Sequence, residues 1–197
     1  MLTYVTFVTS NYQVMCSLMN KAAFLDRDGV IIGKAPEGGY ITCWDQVRFL
    51  PGAWEAIKRL TDAGFAVIVV TNQRGIAKRL MTEADLEEIH TRMKEQLAQA
   101  GVFLTAVYYC PHEIFDQCRC RKPEPGMLLK AAQEFDIDCT KSWMVGDALS
   151  DIEAGEKVGA RTVLISDSGI SHRAGHSAPD FIVHDLAQAV DKILNIQ

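Results

Sequence analysis

Short apolar runs alternate along this chain with longer stretches in which apolar residues recur every three or four positions. A run of four to eight apolar residues reads as a buried strand, and a period near 3.6 reads as an amphipathic helix. Ala22 to Leu25 therefore reads as a first strand, and Pro51 to Ala63 as a helix with Pro51 in its first turn and Gly64 as its stop. Phe65 to Val70 is a second strand, five of its six residues being large and apolar. Thr82 opens the next helix, which runs to about Ala100, with Asp85 three residues on completing an approximate capping box. Val102 to Tyr109, Ser142 to Val145, Arg161 to Ile165 and a short Phe181 to Val183 supply the remaining strands. Gly126 to Phe135, Ser150 to Val158 and Asp185 to Leu194 supply the remaining helices.

Strands alternating with helices predict an α/β fold of Rossmann-like type, a central parallel sheet flanked by helices. Asp26, Thr71, Cys110 and Asp147 all fall at the C-terminal ends of predicted strands, the edge where open α/β sheets place their ligands. The chain shows no internal repeat or linker, and residues 21–197 read as one domain. Residues 1–20 show no clear periodicity and read as a disordered extension, or as sequence upstream of a true start at Met15 or Met19.

Composition narrows the partners. With 197 residues, 48% of them apolar, the chain suffices for one sizeable core. A net charge of −5 disfavours extended contact with nucleic acid, which needs clustered Lys and Arg. No stretch approaches the roughly 18 uninterrupted apolar residues of a membrane span. The N-terminus lacks the cationic start and clean apolar run of a secretory signal. Three of the six cysteines lie within eleven residues beside a histidine, which is metal spacing, and a reducing cytoplasm is the expected setting.

The segment FLDRDGV, Phe24 to Val30, brings Asp26 and Asp28 to a strand end, with Gly29 to turn the chain away. Alone, such a pattern is as often an ordinary turn. Thr71, Asn72 and Gln73 add a hydroxyl and two amides after a second strand, Arg121 and Lys122 add cations, and GDALSD, Gly146 to Asp151, adds carboxylates after another. A phosphoryl transfer needs an oxygen nucleophile, a divalent ion, donors around the equatorial oxygens and a proton for the leaving group. This set offers each.

DRDGV, TNQ, Lys122 and GDALSD together resemble the four motifs of the haloacid dehalogenase (HAD) phosphatase superfamily, over almost everything from Lys21 onward. The resemblance implies a Mg²⁺-dependent phosphomonoester hydrolase with the HAD fold. Asp26 would be the nucleophile that forms an aspartyl phosphate, and Asp28 the proton donor and acceptor. Thr71 and Lys122 would stabilise the phosphoryl group. Asp26, Asp147 and the backbone carbonyl of Asp28 would hold Mg²⁺, whose hard octahedral preference suits oxygen ligands. Asp151 would either orient the metal shell or serve as a first-turn helix carboxylate.

Cys110, His112, Cys118 and Cys120 read C-x-H-x5-C-x-C, which fits a closed four-coordinate Zn²⁺ site of structural type in a loop over residues 110–120. A disulfide between Cys118 and Cys120 would strain the required geometry. Because Arg121 and Lys122 follow directly, the metal would fix where both point. The histidines at 90, 172, 176 and 184 read as helix or loop surface, and Cys16, Cys43 and Cys139 have no partner pattern.

The spacing of motifs leaves no room for a large cap domain. A closer resemblance, from Lys21 to about Ile170, is to the heptose bisphosphate phosphatases. It is carried by DRDGV, GGY (Gly38 to Tyr40), VVTNQRGIA (Val69 to Ala77), YYCPH (Tyr108 to His112) and CRCRKPEPGML (Cys118 to Leu128). It implies removal of the 7-phosphate of D-glycero-D-manno-heptose 1,7-bisphosphate, on the route to ADP-heptose, by a monomeric enzyme. It assigns substrate binding to Glu37, Gly38, Gly39, Tyr40, Thr71, Asn72, Gln73, Arg74, Arg121 and Lys122, with Arg121 suited to bidentate contact with the distal phosphate. The five-residue gap between His112 and Cys118 resembles the histidinol-phosphatase domain, so histidinol phosphate is the alternative substrate. A polynucleotide 3′-phosphatase and a non-catalytic zinc module are the remaining readings.

Overall fold

The computed structural model describes residues 20–36, 38–166 and 178–196. Of the expected extension over residues 1–20, residues 1–19 lie outside the described residues, as do the Glu37 assignment and Cys16, His172 and His176. Six strands form one parallel sheet in the order β3-β2-β1-β4-β5-β6. They are β1 (Ala22–Leu25), β2 (Ala66–Asn72), β3 (Ala106–Cys110), β4 (Trp143–Gly146), β5 (Arg161–Ile165) and β6 (Phe181–Val183). The helices are α1 (Ala53–Asp62), α2 (Glu83–Gln99), α3 (Gly126–Phe135), α4 (Leu149–Lys157) and α5 (Leu186–Asn195). This is the α/β architecture that the alternation of strands and helices predicts, with helices on both faces and no inserted domain among the described residues.

β1 is central because its side chains are apolar on both faces: all four of its residues are fully buried. One face packs Ala23 and Leu25 with α1 and α5; the other packs Phe24 with Met127, Leu128 and Ala131 of α3. The strand order reverses between β1 and β4, where Leu25 lies beside Val145. Connections leave these two strands in opposite directions, which opens a crevice at their carboxyl ends.

Several boundaries differ from the periodicity, each for a local reason. β2 runs two residues further than expected, since Thr71 and Asn72 pair in register with Tyr109 and Cys110 of β3. β3 begins at Ala106 instead of Val102, because the Val102 N–H turns back to Leu97 O (2.9 Å) and closes the end of α2. Pro51 precedes α1, with Gly52 as its N-cap in the left-handed region. The remaining shifts are of one residue. No helix among the described residues is long and apolar enough to cross a membrane.

The start of α2 is a capping box: Thr82 Oγ1 accepts the Asp85 N–H (3.2 Å), and Asp85 Oδ2 accepts the Thr82 N–H (2.7 Å). Thr82→Ala removes one half of this pair on an exposed helix end. It is expected to lower stability by about 1 kcal/mol, seen as a lower urea midpoint with an unchanged slope.

Candidate active site

Asp26 follows β1 and is aimed by its neighbours across the sheet. Its N–H donates to Val145 O (2.9 Å), and its Oδ1 accepts both the Arg27 N–H (2.8 Å) and Lys122 Nζ (2.9 Å). Among the described residues, no hydrogen bond falls on Oδ2. The turn after it needs Gly29, whose φ is +90° and whose hypothetical Cβ would lie 1.8 Å from Asp147 Oδ2. Any side chain here would collide with the Asp147 carboxylate and the Lys34 side chain.

Lys122 is 3% exposed, and its ammonium has three acceptors: Asp26 Oδ1 at 2.9 Å, Asp151 Oδ1 at 2.6 Å and Val70 O at 2.7 Å. Three N–H donors thus meet three acceptors. Burial favours the neutral amine, but Asp151 and Asp26 outweigh it and raise the Lys122 pKa, so the group is a cation at neutral pH. Burial also pushes Asp151 up to about 6, while Lys122 pulls it back. Asp151 also caps a helix, since its Oδ2 accepts the N–H groups of Asp147 (3.1 Å) and Ala148 (3.0 Å) at the start of α4. Both open roles are therefore geometrically available to it, helix cap and neighbour of the metal-type carboxylates.

Asp26, Asp147 and Asp151 bring carboxylate oxygens within 4.8 Å of one another. Asp147 Oδ2 is buried and is paired with the Lys34 ammonium. Burial raises the Asp147 pKa, against the pull of Lys34. Clustered hard oxygens of this kind fit a divalent ion such as Mg²⁺.

The side chains at the end of β2 and just beyond it are partnered among themselves and with Asp28 and Lys122. Thr71 Oγ1 accepts from Gln73 Nε2 (2.9 Å), and the same nitrogen donates to Asp28 Oδ2 (2.9 Å). Asn72 clasps the Lys122 backbone, donating to its carbonyl (3.0 Å) and accepting its N–H (3.1 Å). Tyr40 and Arg74 are partly exposed. Tyr40 lies beneath Lys78 Nζ, 5.1 Å from the ring centre, and Arg74 pairs with Glu113. Gly38 and Gly39 form the turn leading to Tyr40, with the Gly39 N–H on Pro36 O (2.7 Å).

Cys110, His112, Cys118 and Cys120 converge as their spacing predicts. Cys120 Sγ lies 3.2 Å from Cys110 Sγ, 3.5 Å from Cys118 Sγ and 3.2 Å from His112 Nδ1. These are near the edge lengths of a tetrahedron around an ion with ~2.3 Å metal–sulfur bonds. All three cysteines are free thiols, and burial pushes Cys110 far up. At Cys118 burial is outweighed by the Arg121 N–H and by the thiols of Cys120 and Cys110, so its pKa falls. The loop reaches two arginines, through Glu113 to Arg74 and through His112 O, which accepts from Arg121 Nη1 (3.3 Å).

Two residues escaped the sequence reading. Arg27 is 1% exposed and holds Asp28 through both carboxylate oxygens. His90 is not on the surface as expected: it is 2% exposed, and its Nε2 lies 3.1 Å from Arg27 Nη1. The signal was present, since Leu86, Ile89, His90, Met93 and Leu97 form one buried stripe at helical spacing.

Comparison with known proteins places this arrangement. Residues 119–189 match the HAD-hydrolase-like family. The chain is 41% identical over 183 residues to D-glycero-beta-D-manno-heptose-1,7-bisphosphate 7-phosphatase of Escherichia coli strain K12, covering 87% of this chain and 94% of that one. It is 38% identical over 172 residues to the same-named protein of Pseudomonas aeruginosa, covering 86% and 96%. The crystal structure of D,D-heptose 1,7-bisphosphate phosphatase from B. bronchiseptica, complexed with magnesium and phosphate, superposes with a TM-score of 0.80 at 35% identity. That match covers 90% of this chain and 99% of the other.

Burial, reinforced by the charges of Arg27 and Lys94, lowers the His90 pKa from 6.5 to about 3. Below about pH 6.5 an unfolded chain binds a proton at His90 that the folded protein refuses until about pH 3. Stability from this site is therefore complete above that window and falls as the pH drops through it, by at most roughly 1.4 kcal/mol per pH unit. Denaturation midpoints should decline more steeply with acid in the wild type than in His90→Gln.

Proposed function

Because the chain belongs to the HAD-like hydrolases, within the family of the heptose bisphosphate phosphatases, we propose that this phosphatase removes the 7-phosphate of D-glycero-D-manno-heptose 1,7-bisphosphate through an aspartyl-phosphate intermediate. The observation that carries the mechanism is the state of Asp26: Oδ1 is held by Lys122 and the Arg27 N–H, and Oδ2 is left to attack. Oδ2 forms a bond to phosphorus as the bond from phosphorus to the sugar oxygen breaks. Asp28 gives that oxygen its proton. Asp28 then takes a proton from a water molecule that attacks the same phosphorus, which frees Asp26 and releases phosphate.

Asp26, Asp147 and the Asp28 carbonyl are the residues we assign to Mg²⁺, which when bound neutralises charge on the phosphoryl oxygens. Asp151 supports them by fixing Lys122 and the start of α4. Thr71, Asn72 and Lys122 line the phosphoryl pocket. Gly38, Gly39, Tyr40, Arg74 and Arg121 are assigned to the rest of the bisphosphate, whose second phosphate calls for cations away from the reacting centre. Gln73 contributes to the substrate site from beneath, through Thr71 and Asp28.

We assign Zn²⁺ to Cys110, His112, Cys118 and Cys120, in a reducing cytoplasm where the thiols stay unpaired. The ion closes the loop and so sets Glu113 and the His112 carbonyl, the two groups that hold Arg74 and Arg121.

Phosphate release by the purified protein tests the substrate: heptose 1,7-bisphosphate should turn over faster than histidinol phosphate, and the reverse order would sink the heptose reading. Asp26→Asn is expected to lower turnover by roughly 10⁴-fold or more; equal rates would end the covalent mechanism. Elemental analysis should find one zinc per chain. Cys118→Ser should lose it and raise KM for the bisphosphate by about tenfold, with a smaller change in kcat.

A further inference from the structure

Arg27 is the largest fully buried side chain among the described residues, and a guanidinium is costly to bury unless its donors are matched. Here each of its three nitrogens has a partner. Nε donates to Asp28 Oδ2 (3.1 Å), and Nη2 donates to both Asp28 oxygens (3.1 and 2.8 Å) and to Gln73 Oε1 (3.1 Å). Nη1 meets His90 Nε2 at 3.1 Å. An arginine in a protein keeps its proton, so His90 Nε2 must be the acceptor in this contact, with the ring proton on Nδ1. The strongly lowered pKa of His90 agrees with a neutral ring.

We propose that His90 is a positioning residue for the proton-transfer step: by accepting from Arg27 Nη1 it fixes the plane of the guanidinium, and that plane, with Gln73, sets where the Asp28 carboxyl group stands. His90 itself is buried on α2 and reaches the reaction only through Arg27. Its removal leaves Nη1 as a buried donor without a partner. The guanidinium then turns to recover an acceptor, and Asp28, held through both oxygens by the same group, moves with it. A displacement of about 1 Å in a reacting group can slow a step about 100-fold. Arg27 thereby acquires a purpose that no step assigned to Asp26, Lys122 or the metal ligands gives it.

This inference rests on Asp28 being the proton donor. Single-turnover release of the leaving group, with enzyme in excess, isolates the first step. p-Nitrophenyl phosphate leaves as a stable phenolate and needs little protonation, whereas heptose bisphosphate and histidinol phosphate leave as alkoxides and need it fully. His90→Asn, whose amide is too short to reach Arg27, and His90→Phe, which has no acceptor, should each slow the faster alkyl substrate about 10- to 100-fold. Both should leave p-nitrophenyl phosphate within about threefold. His90→Gln, whose longer amide places a carbonyl near the position of Nε2, should restore most of the loss. Thermal melting identifies which variants are folded.

Equal slowing of both substrates, no slowing of either in a folded variant, or no rescue by Gln overturns the positioning role. Asp28→Asn separates this from the reading beneath it. If Asp28→Asn is selective for the alkyl substrate and the His90 variants are not, only the role of His90 falls. If Asp28→Asn shows no selectivity, the assignment of Asp28 falls and takes the inference with it.

Discussion

Three carboxylates crowd the carboxyl edge of this sheet, and much of the surrounding structure keeps them there. Two like charges at 4.8 Å, the outer limit of the Asp26, Asp147 and Asp151 cluster, repel by roughly 3 kcal/mol even at an effective dielectric near 20. Lys122 is the internal answer. Its ammonium is shared between Asp26 and Asp151, and its backbone is clasped on both sides by Asn72. Lys34 supplies a second cation at Asp147. Gly29 supplies the space, since a Cβ would stand where the Asp147 carboxylate already is. Charge balance and close packing meet in the same few residues.

Around this centre the other groups are arranged by reach. Short side chains at strand ends, Asp26, Thr71 and Asp147, define the interior of the crevice. Two long cationic side chains, Arg74 and Arg121, are each tied to the cysteine-histidine loop, through Glu113 and the His112 carbonyl respectively.

Much of this was legible in the sequence. Continuous apolar runs at Ala22 to Leu25 and Phe65 to Val70 announced buried parallel strands, and the Thr82 to Asp85 capping box formed as its spacing indicates. The Cys and His positions converge because the chain turns back between His112 and Cys118, through the short 3-10 turn Ile114–Asp116 and Gln117 in the left-handed region. What escaped was pairing that depends on tertiary placement. Nothing local to Arg27 says that its partner is His90, 63 residues away. His90 read as polar surface because its residue type was weighed above its position on the Leu86 to Leu97 stripe. The start of β3 was missed for a related reason: Val102 is apolar enough for a strand, yet its N–H is used to end α2.

The sheet order has a consequence for how the molecule is made. β1 is the first strand among the described residues and a central one in space, flanked by β2 and β4. The Ala22 N–H finds its partner in the Ser142 hydroxyl 120 residues later. During synthesis β1 can pair with β2 early, but its other edge stays open until Trp143 to Gly146 emerges. That edge consists of four residues that are fully buried in the finished protein, and it is the kind of surface on which unfinished chains associate. The segment that brings Asp147 and Asp151 is therefore also the one that covers the open edge of β1.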